Sequence, residues 1–367
     1  MPSPPETQPA SGASITLSVI INNFNYASYL PETLESLLIQ GDEIAEIIVV
    51  DDCSTDASRA IISDYADKYT GRIRPVFQEI NQGQGAAFNA GYAISRGDLV
   101  MFLDADDFML PGAAAQIRAN YEPDVTVYQY RMRYTNETSA LGDGLYPPLS
   151  QRLADGMEAS EALRSTGRYP TTITSGLVFN RWVLDRIMPM DGEAFRYGGD
   201  GYVVAAAPLY GPVRSFETEI CAYRLHERQH TSRREAQAKL ARWRLSHDAE
   251  RYKVVRYHAA RLGLPVADDL GAKDEGNLFE RIVSMVFDPA SHPVEGDRLA
   301  DLIRDLRRLE GASRTGGQRA ASGLFWTVML YAPGSVRIQM MRLKLDPAAR
   351  PAWLKRTARF VRRRFKL

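Results

Sequence analysis

Cysteine is nearly absent. Cys53 and Cys221 are the only two in 367 residues, with neither a CxxC pair nor zinc-ligand spacing. That argues against a disulfide framework and fits a reducing cytoplasm. Long apolar runs are missing as well. The two longest, Tyr202–Val213 and Gly323–Ala332, fall far short of the ~20 residues that a membrane span needs. The opening stretch, MPSPPETQPASGAS, has no charged n-region and no apolar h-region, so it is not a secretory signal. It reads as a disordered leader over 1–14. No internal repeat is found.

Net charge is also absent, with 45 basic and 45 acidic residues, but the two signs are unevenly placed. Residues 342–367 hold ten Lys/Arg against one acid, Asp346, and the rest of the chain carries the balancing negative surplus. Within that stretch Leu354, Ala358, Val361 and Phe365 recur at helical spacing behind Trp353. Such a helix fits a seat on anionic lipid, or packing on the acidic body of the chain itself. No nucleic-acid reader motif accompanies the basic residues, so no nucleic-acid partner is expected.

What is present is an alternation. Apolar runs at 15–21, 46–50, 72–79 and 98–103 read as strands. Between them lie helical patterns: Leu30, Leu34, Leu37 and Leu38 behind Pro31, then about 57–69, then 84–95. Strands alternating with helices predict an α/β domain with a mostly parallel sheet. In such sheets ligands bind beyond the carboxyl ends of the strands. There the sequence places Asn22-Asn23, Asp51-Asp52 and Asp104–Asp107. Residues 125–134 and 215–226 read as further strands, 135–160 as loop-rich, and helix formers dominate from about 232.

Several stretches carry chemistry. In MFLDADDFMLP (101–111), Asp104 and Asp106 share a face if the strand persists, with Asp107 opposite. Two carboxylates beside a diphosphate suit Mg²⁺ or Mn²⁺, whereas an Asp-rich turn is the plainer reading. In VVDDCSTD (49–56), Ser54 and Asp56 are expected to cap the next helix, which leaves Asp52 for a ligand. In NQGQGAAFNAGY (81–92), Gly83-x-Gly85 lacks the third glycine of a dinucleotide loop, because position 88 is Phe. Close packing on the sheet, with the helix N-terminus near phosphates, fits better. In YGGDGYVV (197–204), Asp200 fits an N-cap or a general base. In YRLHERQHTSRR (223–234), His226 and the arginines fit a metal or phosphate contact, or an ordinary solvated helix start.

Taken together, SVIINNFNYASYL, IIVVDDCSTD, NQGQGAAFNAGYAISRGDLVMFLDADDFMLP, YGGD and YRLH resemble inverting glycosyltransferases of family 2. The resemblance covers about 15–230, in the family's order. It implies the fold class GT-A: α/β, a Rossmann-like, mostly parallel sheet flanked by helices, here with a helical C-terminal extension over 231–345 and a basic tail over 346–367. It implies a DxD element at Asp104 and Asp106 holding Mg²⁺ or Mn²⁺, with His226 near the metal. It further implies donor contacts from Asn22, Asn23, Phe24, Asp52 and Gln84, with Asp52 on a uracil ring, and Asp200 as catalytic base. The departures are Asn22 for the usual Pro, Cys53 for Gly, Phe88 for Arg and Gly199 for Glu.

The expected activity is metal-dependent, inverting transfer from a nucleotide sugar, UDP-linked by the Asp52 argument, to a glycan or lipid-linked acceptor hydroxyl. The expected location is cytoplasmic, peripheral at the inner membrane face if the tail binds lipid. The alternatives are a catalytically silent binding protein of the same fold and a nucleotidyltransferase. The latter needs a basic loop after the first strand, and residues 22–30 contain no Lys or Arg.

Overall fold

A computed structural model describes residues 15–225, 234–313, 316–346 and 350. The expected leader, His226 and nearly all of the basic tail lie outside the described residues.

The first half builds the expected alternation. Strand β1 (Leu17–Asn23) leads to helix α1 (Leu30–Leu38), β2 (Glu46–Asp51), α2 (Ser58–Lys68), β3 (Ile73–Phe77), α3 (Gln84–Ile94) and β4 (Leu99–Asp104). The strands pair in parallel in the order β3-β2-β1-β4. β1, β2 and β4 are apolar runs buried on both faces, as a helix-covered parallel sheet requires, whereas the edge strand β3 is buried only in part. Gly91 shows how closely α3 lies on the sheet, for a Cβ there would stand 2.3 Å from Ile20 Cγ2. Phe88 is fully buried and stacks on Phe102 with ring centroids 4.0 Å apart. The position where the family often has Arg is therefore a core residue here.

The second half turns the sheet mixed. It adds β5 (Phe108–Met109), α4 (Ala113–Ala119), β6 (Val127–Thr135), β7 (Leu141–Tyr146), α5 (Glu158–Thr166), β8 (Leu177–Asn180), α6 (Arg181–Ile187), α7 (Asp200–Ala206) and β9 (Val213–Arg224). β8 pairs antiparallel with β4, β6 antiparallel with β8, and β9 parallel with β6. β7 occupies the stretch read as loop. Its residues, LGDGLY, lack a sustained apolar alternation.

The chain divides into two compact units. One takes the described part of Met1–Glu227 with Glu250–Ala267, and the other takes Arg228–Ala249 with Asp268–Leu367. Residues 250–267 thus group with the sheet unit, whereas the sequence reading placed them in the helical extension. The second unit contains α9 (Glu275–Phe287), α10 (Leu299–Ser313), α11 (Gly316–Tyr331) and α12 (Gly334–Leu345), following the long helix α8 (Arg234–Arg261). Its core gathers Leu278, Ile282, Phe287, Ile303, Leu306, Trp326, Met329 and Met341. Asp274 caps α9, accepting the Gly276 N–H at 2.8 Å. No described helix is long and apolar enough to cross a membrane.

Candidate active site

Register places the polar rim. In β1 and β4, Asn22 stands opposite Asp104; in β1 and β2, Asn23 stands opposite Asp51. Successive side chains of a strand point to opposite faces, so the two asparagines serve different ends. Asn22 Nδ2 donates to Asp104 Oδ1 at 3.0 Å. Asn23 is buried and donates to Asp51 Oδ1 at 2.8 Å and Ser54 Oγ at 3.1 Å. Phe24 stands at the rim, 43% exposed.

The strand does not persist through the acidic cluster. β4 ends at Asp104, and the Asp107 N–H closes a turn on the Asp104 carbonyl at 3.1 Å. A turn, not strand alternation, therefore places Asp106. Asp107 is directed inward, 1% exposed, and accepts the Arg224 main-chain N–H at 3.1 Å. Asp104 is half-buried and Asp106 buried. Burial, the Asp106 charge and the Asp200 charge push the Asp104 carboxyl up to about 7, against the bonds from Asn22 and Gln84. Burial and the charges of Asp106 and Asp104 likewise raise Asp107.

Arg224, which the sequence offers as a phosphate contact or part of a solvated helix start, is fully buried. Its Nε donates to the Asp106 carbonyl at 2.8 Å, it pairs with Glu32, and one Nη donates to Ser139 Oγ at 3.0 Å. Its guanidinium also lies 4.8 Å from the Tyr29 ring centre. It holds the acidic turn from beneath.

Asp52 has structural work of its own. It is buried, and its two oxygens accept the N–H groups of Gln82 and Gly83, each at 2.7 Å. Each oxygen keeps a second lone pair. Ser54 does not cap α2; it accepts the Asn25 N–H at 2.9 Å, while Asp56 accepts the Ser58 N–H at 2.9 Å. Cys53, where the family has glycine, sits at φ 62°, the left-handed region that glycine enters most easily.

The N-terminus of α3 serves the protein rather than an open anion site. The Gln84 N–H donates to the Arg196 carbonyl at 2.8 Å and the Gly85 N–H to the Phe195 carbonyl at 3.1 Å. Gly83 has φ 86°, and a Cβ there would stand 2.2 Å from the Arg196 oxygen. The Gln84 side chain reaches further. Its Nε2 donates to Asp104 Oδ1 at 3.0 Å, and its Oε1 accepts the Gly199 N–H at 2.8 Å.

Asp200 is the first residue of α7; the cap position is Gly199, so the N-cap reading of Asp200 does not hold. Asp200 is half-buried, and its Oδ1 accepts the Gly201 N–H at 2.9 Å. Beside it and the acidic turn lie three tyrosines that sequence reasoning missed. Tyr134, Tyr146 and Tyr223 have ring centres 5.7–6.2 Å apart. Burial, then the Asp107 charge, pushes Tyr223 up to about 12, and the Asp200 charge contributes to the rise at Tyr146. The signal for the set was weak: Tyr134 and Tyr223 are paired across β6 and β9, a register that the sequence does not display.

The donor set suits a hard divalent ion. Asp104 and Asp106 would supply oxygen ligands in a site that otherwise concentrates negative charge. Among the described residues no group of three or more His, Cys, Asp or Glu forms a closed cage. Mg²⁺ and Mn²⁺ are commonly held by one or two carboxylates, with waters and phosphates completing the shell.

Comparison with known proteins follows this geometry. The model of the family described as Glycosyl transferase family 2 matches residues 18–170. An uncharacterized glycosyltransferase of Nostoc sp. is 36% identical over 218 residues, 57% of this chain and 65% of that protein. The succinoglycan biosynthesis protein ExoU of Rhizobium meliloti is 40% identical over 107 residues, 29% of this chain and 31% of ExoU. The chain thus spans just under two thirds of the first relative and about a third of the second. A mannosyltransferase of Pyrobaculum calidifontis, solved with GDP-Man and Mn²⁺, superposes with a TM-score of 0.50 at 16% identity, covering 88% of this chain and 83% of that one. At that identity the likeness is one of fold, and the fold is GT-A.

Proposed function

We propose that this chain, whose residues 18–170 match the model of Glycosyl transferase family 2, moves a sugar from a nucleotide sugar to an acceptor hydroxyl with inversion. The observation that carries the reading is the convergence of Asp104, Asp106 and Asp200. They come from a strand end, the turn after it and a distant helix start, and both Asp106 and Asp200 act on the protonation of Asp104. Two of these carboxylates belong to one chain segment and the third faces them from another, which suits a donor diphosphate on one side and an acceptor on the other.

Asp104 and Asp106 would hold Mg²⁺ or Mn²⁺, which supplies charge neutralisation at a departing diphosphate. Asp200 takes the proton of the acceptor hydroxyl as that oxygen attacks the anomeric carbon from the face opposite the nucleotide. One displacement inverts configuration. Asn22 and Gln84 orient Asp104 through its Oδ1. Phe24 offers an exposed ring at the nucleotide edge, and the remaining lone pairs of Asp52 face the role of accepting a uracil N3–H, which favours a UDP-sugar. The relatives that act in polysaccharide biosynthesis support a glycan or lipid-linked acceptor.

The test is nucleoside diphosphate release from a panel of nucleotide sugars, with and without Mn²⁺. Metal-dependent release from a UDP-sugar is the expected result. No release from any donor, together with no calorimetric binding of UDP and Mn²⁺, would overturn the reading.

A peripheral seat at the inner face of an anionic membrane is part of the same proposal. Besides the basic sequence, α11 presents Leu324, Val328 and Tyr331 to solvent at i, i+4 and i+7, with Tyr331 82% exposed. The full chain is expected to sediment with phosphatidylglycerol vesicles and not with phosphatidylcholine vesicles. Equal sedimentation of a chain truncated after Leu345 would remove the tail from this role.

A further inference from the structure

We infer that Gln84 is a positioning residue, a tether that sets the distance between the acidic turn and the segment carrying Asp200. The inference rests on the proposed transfer reaction for its consequence, but not for its geometry. The sequence reading had counted Gln84 among donor contacts. In the structure both ends of its amide are engaged by the protein. Nε2 donates to Asp104 Oδ1 at 3.0 Å, and Oε1 accepts the Gly199 N–H at 2.8 Å. The orientation is fixed by chemistry. Reversing the amide would oppose its oxygen to a carboxylate oxygen and its NH₂ to a main-chain N–H.

The root of the side chain is equally fixed. Gln84 opens α3, and its own N–H is bonded to the Arg196 carbonyl at 2.8 Å. Main chain and side chain of one residue thus grip the 196–199 segment at two points, three residues apart. The next residue after Gly199 is Asp200. On the other side, Asp104 Oδ1 also takes the Asn22 bond, which ties it to β1. The path from metal-side carboxylate to base is therefore Asp104, Gln84, Gly199, Asp200, in which Gly199 is buried and the other three are half-buried. α7 itself is only 7 residues long. So short a helix is poorly suited to fix its first residue alone.

Near-attack geometry demands this kind of constraint, because a displacement of about 1 Å can cost on the order of 100-fold in rate. Gln84→Met keeps length and removes both bonds. Gln84→Glu keeps an acceptor for Gly199 but replaces the donor to Asp104 with a second carboxylate oxygen set against it. Amide exchange of the full chain, read on peptides covering 197–203, is expected to accelerate at Gly199 by about tenfold or more in Gln84→Met and to stay slow in Gln84→Glu. In the same Gln84→Met protein, kcat for donor turnover is expected to fall about 10–100-fold while UDP affinity measured in chelator stays within about threefold.

Unchanged exchange at Gly199 in Gln84→Met overturns the tether. So does faster exchange with unchanged kcat, which would leave Gln84 a packing residue. If the unmodified chain turns over no donor and binds no UDP with Mn²⁺, the transfer reading fails by itself, and the exchange measurement still decides whether the tether exists.

Discussion

Replacing Asp200 with asparagine is expected to lower kcat by about 10²–10⁴-fold while leaving UDP affinity within about threefold. The side chains are nearly isosteric, and asparagine keeps an oxygen for the Gly201 N–H that Asp200 Oδ1 now accepts at 2.9 Å. Asp200 also lies in the first turn of α7, where a negative charge is mildly stabilising. That loss amounts to less than about 1 kcal/mol, too little to unfold the unit. The change therefore removes proton acceptance and little else. Single-turnover kinetics with saturating donor isolates the chemical step. A variant that keeps activity within about threefold would exclude Asp200 as the base and point to another group at the acceptor side.

Asp106→Asn is expected to act with opposite signs on binding and on stability. Metal-dependent UDP binding should be lost, because one of the two carboxylates proposed to hold the ion is gone. Without metal, the same variant should melt higher. Asp106 is buried beside Asp104 and Asp107, and its charge raises the carboxyls of both. Removing the Asp106 charge eases the ionisation of these two carboxyls, a gain of about 1–2 kcal/mol after screening, or a few degrees in melting temperature. Sites built for ligands commonly carry such internal conflict. Calorimetry with UDP and Mn²⁺, beside melting in chelator, reads both effects. Retained binding would free Asp106 from the metal role. A lower melting temperature would show that the turn depends on the Asp106 carboxylate for its shape.

The sequence disclosed the strands that carry this site because each is a continuous apolar run ending in polar residues. It disclosed the common edge as well, since alternation with helices forces those strands to be parallel. It did not disclose what each polar side chain does there. Asp52 and Asp104 look equivalent on paper; the first uses both oxygens to hold Gln82 and Gly83, and the second collects Asn22 and Gln84. Local spacing cannot report bonds between residues 20 to 80 positions apart.

The second half was harder to read for a related reason. β7 and β8 are short strands of a mixed sheet, held by partners on β6 and β4 rather than by a strong pattern of their own. Phe88 shows the limit of motif comparison. Where the family often has a cation, this chain has a ring stacked on Phe102, and only the packing reveals it as core.

Arg224 carries a consequence for how the protein is made. Its bonds to Asp107 and Glu32 join residues 117 and 192 positions apart. A ribosome that has released β4 and the turn after it has already delivered all three carboxylates of the acidic turn. It must add some 120 more residues before the guanidinium that sits beneath them emerges. Contacts so distant in sequence close slowly, because the intervening chain must be ordered first. Throughout that interval the nascent domain carries an uncompensated negative turn at the open edge of a half-built sheet. Like charge at such an edge discourages premature pairing with another strand. The carboxylates proposed to serve the transfer reaction would then also protect the unfinished protein from its neighbours on the polysome.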